Sequence, residues 1–251
     1  MLNNLVSDFQ LVAVIVHTLL IVIALILPKK LLTTLGYINA WILGVIIWLT
    51  VSWQGYVVVL FYLFVGSAVT KIGIAEKEAA GIAEKRSGMR GPENVWGSAL
   101  TATLCAIGTL FVGTPVRELL ILGYVASFAT KLSDTSASEV GKAYGKSTFL
   151  ITTLKPVPRG TEGAVSLEGT VAGVIASIAI AFVGYAVGAI DLWGVLWCVV
   201  AAFIATNIES LIGATLQENV SWLTNEVVNF INTTVGAIAA MLIAWLFGSV
   251  F

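Results

Sequence analysis

The sequence is short of charge. Only 11% of its 251 residues are Asp, Glu, Lys or Arg, against roughly 25% in a water-soluble domain, while 58% are hydrophobic and the mean hydropathy is +0.98. Too little polar surface remains to coat a globule in water. Cysteine is almost missing as well. Cys105 and Cys198 each fall inside an apolar run, which excludes a disulfide framework or a thiolate metal site and leaves core packing. Histidine is reduced to His17, isolated in the first apolar run, and it is read as a packed or interfacial residue with no chemical role. No basic leader or small-residue cleavage motif precedes that run. It is therefore read as a retained helix and not as a signal or transit peptide.

What the chain has is apolar length, with 24 Gly and 8 Trp, the small residues that let membrane helices approach and the aromatic residue that favours their interfaces. Runs long enough to cross ~30 Å of hydrocarbon lie at about 8–27, 31–50, 54–70, 95–113, 116–132, 167–190, 192–212 and 233–251. The expectation is an all-α, polytopic integral membrane bundle of about eight transmembrane helices, one catalytic domain over 1–251. Eight crossings put Lys29, Lys30 and the loops at about 71–94, 131–166 and 213–232 on one side. That side then holds every Lys and Arg except Arg117. By the positive-inside rule it is cytoplasmic or stromal, with both termini opposite. A bacterial plasma or thylakoid membrane is expected, or a plastid membrane in a eukaryote.

The first of these loops repeats GIAEK at 73–77 and 81–85. Its Ala, Glu and Lys predict a helix that extends past the membrane, brings Lys77, Gly81 and Lys85 to one face, and ends at Gly88 and Gly91-Pro92. Such a helix is either a solvated amphipathic extension or, with Lys71, Lys77, Lys85, Arg86 and Arg90, an electropositive wall for phosphate. Glycine costs ~1 kcal/mol in a helix interior, so Gly73 and Gly81 argue for close approach of a backbone or ligand.

The second loop, LSDTSASEVGKAYGKSTFLITTLKPVPRGTEGAVSLEGT over 132–170, holds most of the chemistry. Asp134 and Glu139 follow an apolar run, where an acid needs a partner. With Ser133, Thr135 and Ser138 nearby they suit Mg²⁺, a hard ion that takes few protein ligands; the alternative is a capped helix end. Glu162 is read as a further metal ligand or as the partner of a lysine. GKAYGKS at 141–147 is one residue short of the Walker spacing and lacks a preceding strand, so a P-loop is rejected. Its glycines, Lys142 and Lys146 can still cradle phosphate, as can Lys155, Arg159 and the turn Gly160, Thr161, Glu162, Gly163, with Ser166 after it. Glu209, within hydrocarbon, defaults to function. Asn225, Asn229 and Asn232 share one helical face and either line the site or hold helices together.

The order SDxxxSE, GKxxGK and KPVPRGTEGAVSLEGT, with KEAAGIAEKRSGMRGPENVWGS upstream, resembles the membrane family of phytyl-phosphate kinases of tocopherol biosynthesis. It is more distantly similar to dolichol kinase and phosphatidate cytidylyltransferase. The resemblance spans about 65–235. It implies CTP as phosphoryl donor, Mg²⁺ as cofactor and a phytyl or prenyl monophosphate as acceptor, its tail lying between spans. On this reading Asp134, Glu139, Lys146, Lys77 and Lys71 are the candidate catalytic residues, and Asp134, Glu139 and Glu162 hold the metal. Substrate is bound by Lys85, Arg86, Arg90, Asn94, Ser138, Lys142, Lys155, Arg159, Gly160, Thr161, Gly163, Ser166, Glu209, Gln217, Asn225 and Asn229. No nucleic acid is expected as a partner. The alternatives are a cytidylyltransferase that makes a CDP-lipid at the same site and a transporter of anionic lipid.

Overall fold

A computed structural model of the chain describes residues 2–26, 31–217 and 219–248. Its α-helices are α1 (Leu2–Ile26), α2 (Thr34–Thr70), α3 (Ile74–Ala79), α4 (Pro92–Gly108), α5 (Val116–Tyr144), α6 (Leu167–Ala186), α7 (Leu192–Ile212) and α8 (Asn225–Leu246). Strands β1 (Thr148–Leu150) and β2 (Ala164–Ser166) pair antiparallel, with Thr148 opposite Ser166. The fold is helical apart from this two-stranded hairpin, which corrects the all-α expectation. It forms because the segment between α5 and α6 is too polar to enter lipid and must satisfy its own backbone.

α2 is not straight. A helix of 37 residues would be about 55 Å long, yet both of its ends reach Arg90. The Thr33 N–H donates to the Arg90 carbonyl at 3.0 Å, and the Arg90 guanidinium donates to Tyr62 Oη at 2.5 Å. The chain folds back at Ser52 (φ 60°, ψ −164°), a conformation that L-residues rarely adopt. The arms 34–51 and 53–70 run antiparallel. Tyr124 Oη donates to the Gly55 carbonyl at 2.6 Å and so satisfies an acceptor beside the fold-back.

α5 is the axis of the bundle, touching α2, α4, α6, α7 and α8. From Leu122 to Asp134 every residue is buried. α6 packs on it through Gly169 and Gly173, where a Cβ would fall 2.5 Å from the Ala137 carbonyl and 2.9 Å from Ser133 Oγ, the small-xxx-small contact of membrane helices. α4 and α8 are joined by Thr101, whose hydroxyl lies 2.9 Å from that of Thr233 and 2.8 Å from that of Thr234. The outer surface is apolar, with Ile175, Phe203 and Leu242 all exposed, as expected of helices solvated by lipid and not by water. Among the described residues four helices, counting α2 as one, are by themselves long and apolar enough to cross a membrane.

The single helix expected over the first loop is replaced by two short turns. Gly73 and Gly81 adopt left-handed φ of 58° and 70°, which glycine tolerates and other residues resist, and they bracket the six residues of α3. A 3-10 turn follows at Lys85–Gly88. GKAYGKS is likewise not a loop. α5 continues through Gly141 and Lys142 to Tyr144, and a Cβ at Gly141 would lie 3.2 Å from Ser166 Oγ. Its first glycine allows this close approach and, with Lys142, lines a polar space.

Candidate active site

The inner end of α5 presents Lys131, Asp134, Ser138 and Lys142 at spacings of three and four, on one helical face. Lys131 is buried where an ammonium is expensive, and it is held by two acceptors. Its Nζ donates to Asp134 Oδ2 at 2.5 Å and to Asn229 Oδ1 of α8 at 2.7 Å. α7 brings Glu209 to the same polar space as Asp134.

One turn farther along α5, beside Glu139, Lys77 of α3 is almost wholly buried. Its Nζ donates to the Thr70 carbonyl at 2.9 Å and to Glu139 Oε2. Lys142 lies 3.8 Å from the other Glu139 oxygen and 3.3 Å from Glu84 of the first loop. Burial pushes the Glu139 carboxyl above its ordinary value, and the two lysines draw it back only in part. For Lys142, burial lowers the ammonium, but Glu84, Glu139 and Glu162 more than reverse this and leave it above the usual lysine range.

These groups surround a cavity of about 490 Å³, which is lined by Arg86, Arg90, Asn94, Lys131, Asp134, Ser138, Glu139, Lys142, Gly160, Glu162, Glu209, Gln217, Asn225 and Asn229. A smaller space of about 130 Å³ between α5, α6, α7 and the 160–166 turn shares Asp134, Ser138, Lys142, Glu162 and Glu209 with it and adds Thr161, Gly163 and Ser166. Most of the residues picked from sequence are thereby brought together. Several carry structural duties too. Ser166 Oγ caps α6 by accepting from the Gly169 N–H, Asn94 Oδ1 accepts from the Gly91 N–H at the start of α4, and Gln217 donates to Asn225.

Others stand apart. Lys71, Lys146 and Lys155 are exposed and line neither polar cavity. Arg159 Nη1 donates to the Ala143 carbonyl at 2.9 Å, so it closes the carboxyl end of α5 as a basic residue suits. Arg86 does line the larger cavity, where it is paired with Glu93. Lys29, Lys30 and the side chain of Lys85 lie outside the described residues. Sequence reasoning missed Lys131, Glu84 and Tyr62. For Lys131 a signal existed, since a cation three residues before an acid on one helix face is a ready pair.

Among the described residues no group of three or more His, Cys, Asp or Glu side chains is placed to hold a metal ion. Glu139, expected as a ligand, is engaged with Lys77 and Lys142. The pair Asp134 and Glu209 is the better match to Mg²⁺, which needs only one or two carboxylates and takes its remaining ligands from water and phosphate. Asp134 is buried and Glu209 half-buried, and both line the same polar space, the small carboxylate set that suffices for this ion.

A family description, "Integral membrane protein DUF92", matches residues 17–237. An uncharacterised membrane protein of Synechocystis sp. is 67% identical over 229 residues, covering 91% of this chain and 89% of its own length. Protein VTE6, chloroplastic, of Arabidopsis thaliana is 47% identical over 215 residues, covering 84% of this chain, and the match spans 65% of that longer protein. An uncharacterised membrane protein of Methanocaldococcus jannaschii is 34% identical over 225 residues, covering 88% and 90% of the two chains. No solved structure matches. The chain belongs to the DUF92 family of integral membrane proteins.

Proposed function

We propose that this protein is a membrane-embedded lipid-phosphate kinase that moves the γ-phosphoryl group of CTP to phytyl or another prenyl monophosphate, yielding the diphosphate and CDP, in tocopherol or related isoprenoid biosynthesis. The observation that carries the reading is the larger polar cavity, in which the carboxylates of Asp134 and Glu209 share the wall with Lys131, Lys142, Arg86 and Arg90. The resemblance of the loop motifs to phytyl-phosphate kinases and the 47% identity to the chloroplast protein support it.

An alkyl phosphate has a second pKa near 6 and is a dianion at neutral pH. Its oxygen can attack the γ-phosphorus, and the bond from that phosphorus to the β-bridging oxygen breaks, without a general base. What remains is to align and neutralise two anions. Lys142, Arg86 and Arg90 meet phosphate oxygens, while Lys131 orients Asp134, and Lys77 orients Glu139. Asp134 and Glu209 would hold Mg²⁺, which would supply charge neutralisation at the phosphates.

In this reading α1, the two arms of α2, and α4 to α8 make eight crossings. The cavity opens to the cytoplasmic or stromal side of a bacterial plasma or thylakoid membrane. The test is product analysis by mass spectrometry after incubating purified protein with CTP, Mg²⁺ and phytyl monophosphate. Phytyl diphosphate with CDP is expected. A CDP-lipid with pyrophosphate moves the attack to the α-phosphorus, and unconsumed CTP with lipid bound leaves an anionic-lipid transporter.

A further inference from the structure

The polar cavity does not end at its cations. A second space, about 310 Å³ and almost wholly apolar in its walls, runs between α1, the folded arms of α2, and α4. Tyr62, Arg90, Asn94 and Ser98 line both spaces, so the two meet at these four residues. Beyond it the walls are hydrocarbon, including Leu20, Ile21, Ala24, Leu43, Val59 and Leu63. Resting on the kinase reading, we infer that this groove is the binding site for the hydrocarbon tail of a single-chain isoprenoid phosphate, with its phosphate held at the Arg90 mouth.

The mouth is built for an anion. Arg90 is fixed through its backbone to Leu31 and Thr33, at 3.1 Å and 3.0 Å, and its guanidinium lies over the Tyr62 ring, 4.8 Å from the centroid. A pre-set guanidinium loses little freedom on meeting phosphate. The groove is the matching environment for the other half of the molecule, since burying each CH₂ is worth ~0.8 kcal/mol relative to water. A lipid phosphate joins one charged end to one apolar end, and these two spaces meet at one arginine.

The floor is aromatic. His17 stands edge-on to Tyr56 with centroids 4.5 Å apart and to Trp48 at 5.7 Å. A Cβ on Gly44 would lie 2.4 Å from the His17 ring, so glycine there is what lets α1 settle on the folded arms of α2. Gly36 and Gly44 mark the mouth and the floor on one arm, eight residues or about 12 Å apart. A longer tail passes His17 and leaves between α1 and α2 into the bilayer.

The test uses the full chain in lipid nanodiscs and phytyl monophosphate carrying a photoreactive diazirine on its tail, with labelled peptides located by mass spectrometry. Label is expected on α1 and the arms of α2, and excess unmodified phytyl monophosphate should suppress it. Ala40→Trp, which fills the groove, should reduce labelling about tenfold, whereas Leu196→Trp on the outer face of α7 should leave it as in the parent. Label on α6, α7 or α8, label that does not compete, or equal labelling by a tail-diazirine phosphatidylcholine would overturn the groove. The parent-protein map decides even if Ala40→Trp does not fold. Competed label in the groove without phosphoryl transfer would keep the groove and sink the kinase; transfer with label elsewhere would do the reverse.

Discussion

Around the inner end of α5, Lys77, Lys131, Asp134 and Glu139 are each less than 10% exposed, and every one of them is paired. In the 145–163 segment that follows, Lys146 and Lys155 are exposed and line neither polar cavity. Both regions carry lysines close to acids or glycines, but their physics differs. A buried charge is tolerated only when partners fix it, so its position is set before any substrate arrives. An exposed lysine is solvated and free to move, and its interactions are weak and screened. Chemistry between two anions needs charges that do not have to reorganise. The buried cluster meets that condition, and the hairpin loop does not.

The largest test of this contrast is Asp134→Asn. It keeps the shape of the side chain and leaves the Lys131 bond to Asn229 available, while removing one of the two negative charges. Phosphoryl transfer to phytyl monophosphate should fall by about 10³, with the thermal midpoint little changed. An active variant would mean that the cluster is a structural ion network and that the reacting centre lies elsewhere.

Next comes Lys77→Met, which leaves Glu139 buried without its main partner. Breaking a buried pair costs about 3–5 kcal/mol, read as a fall in denaturation midpoint. Lys77→Met combined with Glu139→Gln should recover most of it, because the uncompensated charge is gone. No recovery would show that Lys77 matters through its bond to the Thr70 carbonyl instead. At the other pole, Lys146→Ala and Lys155→Ala should each change turnover by no more than about fivefold, in line with exposed charges worth ~1 kcal/mol or less. A hundredfold loss in either would mean that the hairpin closes over bound nucleotide, and the contrast would collapse.

Much of this architecture was legible because lipid imposes length. Each of the eight apolar runs overlaps a helix or helix arm, namely α1, both arms of α2, and α4 to α8, and the gap at 51–53 falls at the fold-back at Ser52. Where polar residues enter a helix the reading slipped. α8 begins at Asn225, eight residues before the apolar run, because Asn225, Glu226 and Asn229 line the polar cavity and Asn232 is buried. The first loop misled because composition favoured a helix, while the left-handed φ that Gly73 and Gly81 supply is invisible in a count of helix formers. The site was legible in its members more than in their pairing. Asp134, Glu139 and Glu209 stood out as costly acids, but that Glu139 pairs with Lys77 and that Asp134 shares a polar space with Glu209 follows from α3, α5 and α7 converging. Periodicity within one segment carries no such information.

The smallest effect concerns pH and asks whether Glu139 is as buried in solution as in the fold. Its carboxyl is pushed above the ordinary 4.5 by burial, with the Lys77 hydrogen bond and the charges of Lys142 and Lys77 opposing. The folded state then holds a proton there more tightly than the unfolded chain does. A raised folded-state pKa contributes stability that is fully present below the ordinary glutamate value and is lost as pH rises through the folded-state value. Denaturation midpoints across that window should decline through this group in the parent protein and flatten in Glu139→Gln. Identical slopes in both would mean that the ion pair with Lys77 outweighs burial, and Glu139 would then be charged throughout, a fixed anion beneath the cavity floor and not a group balanced between two states.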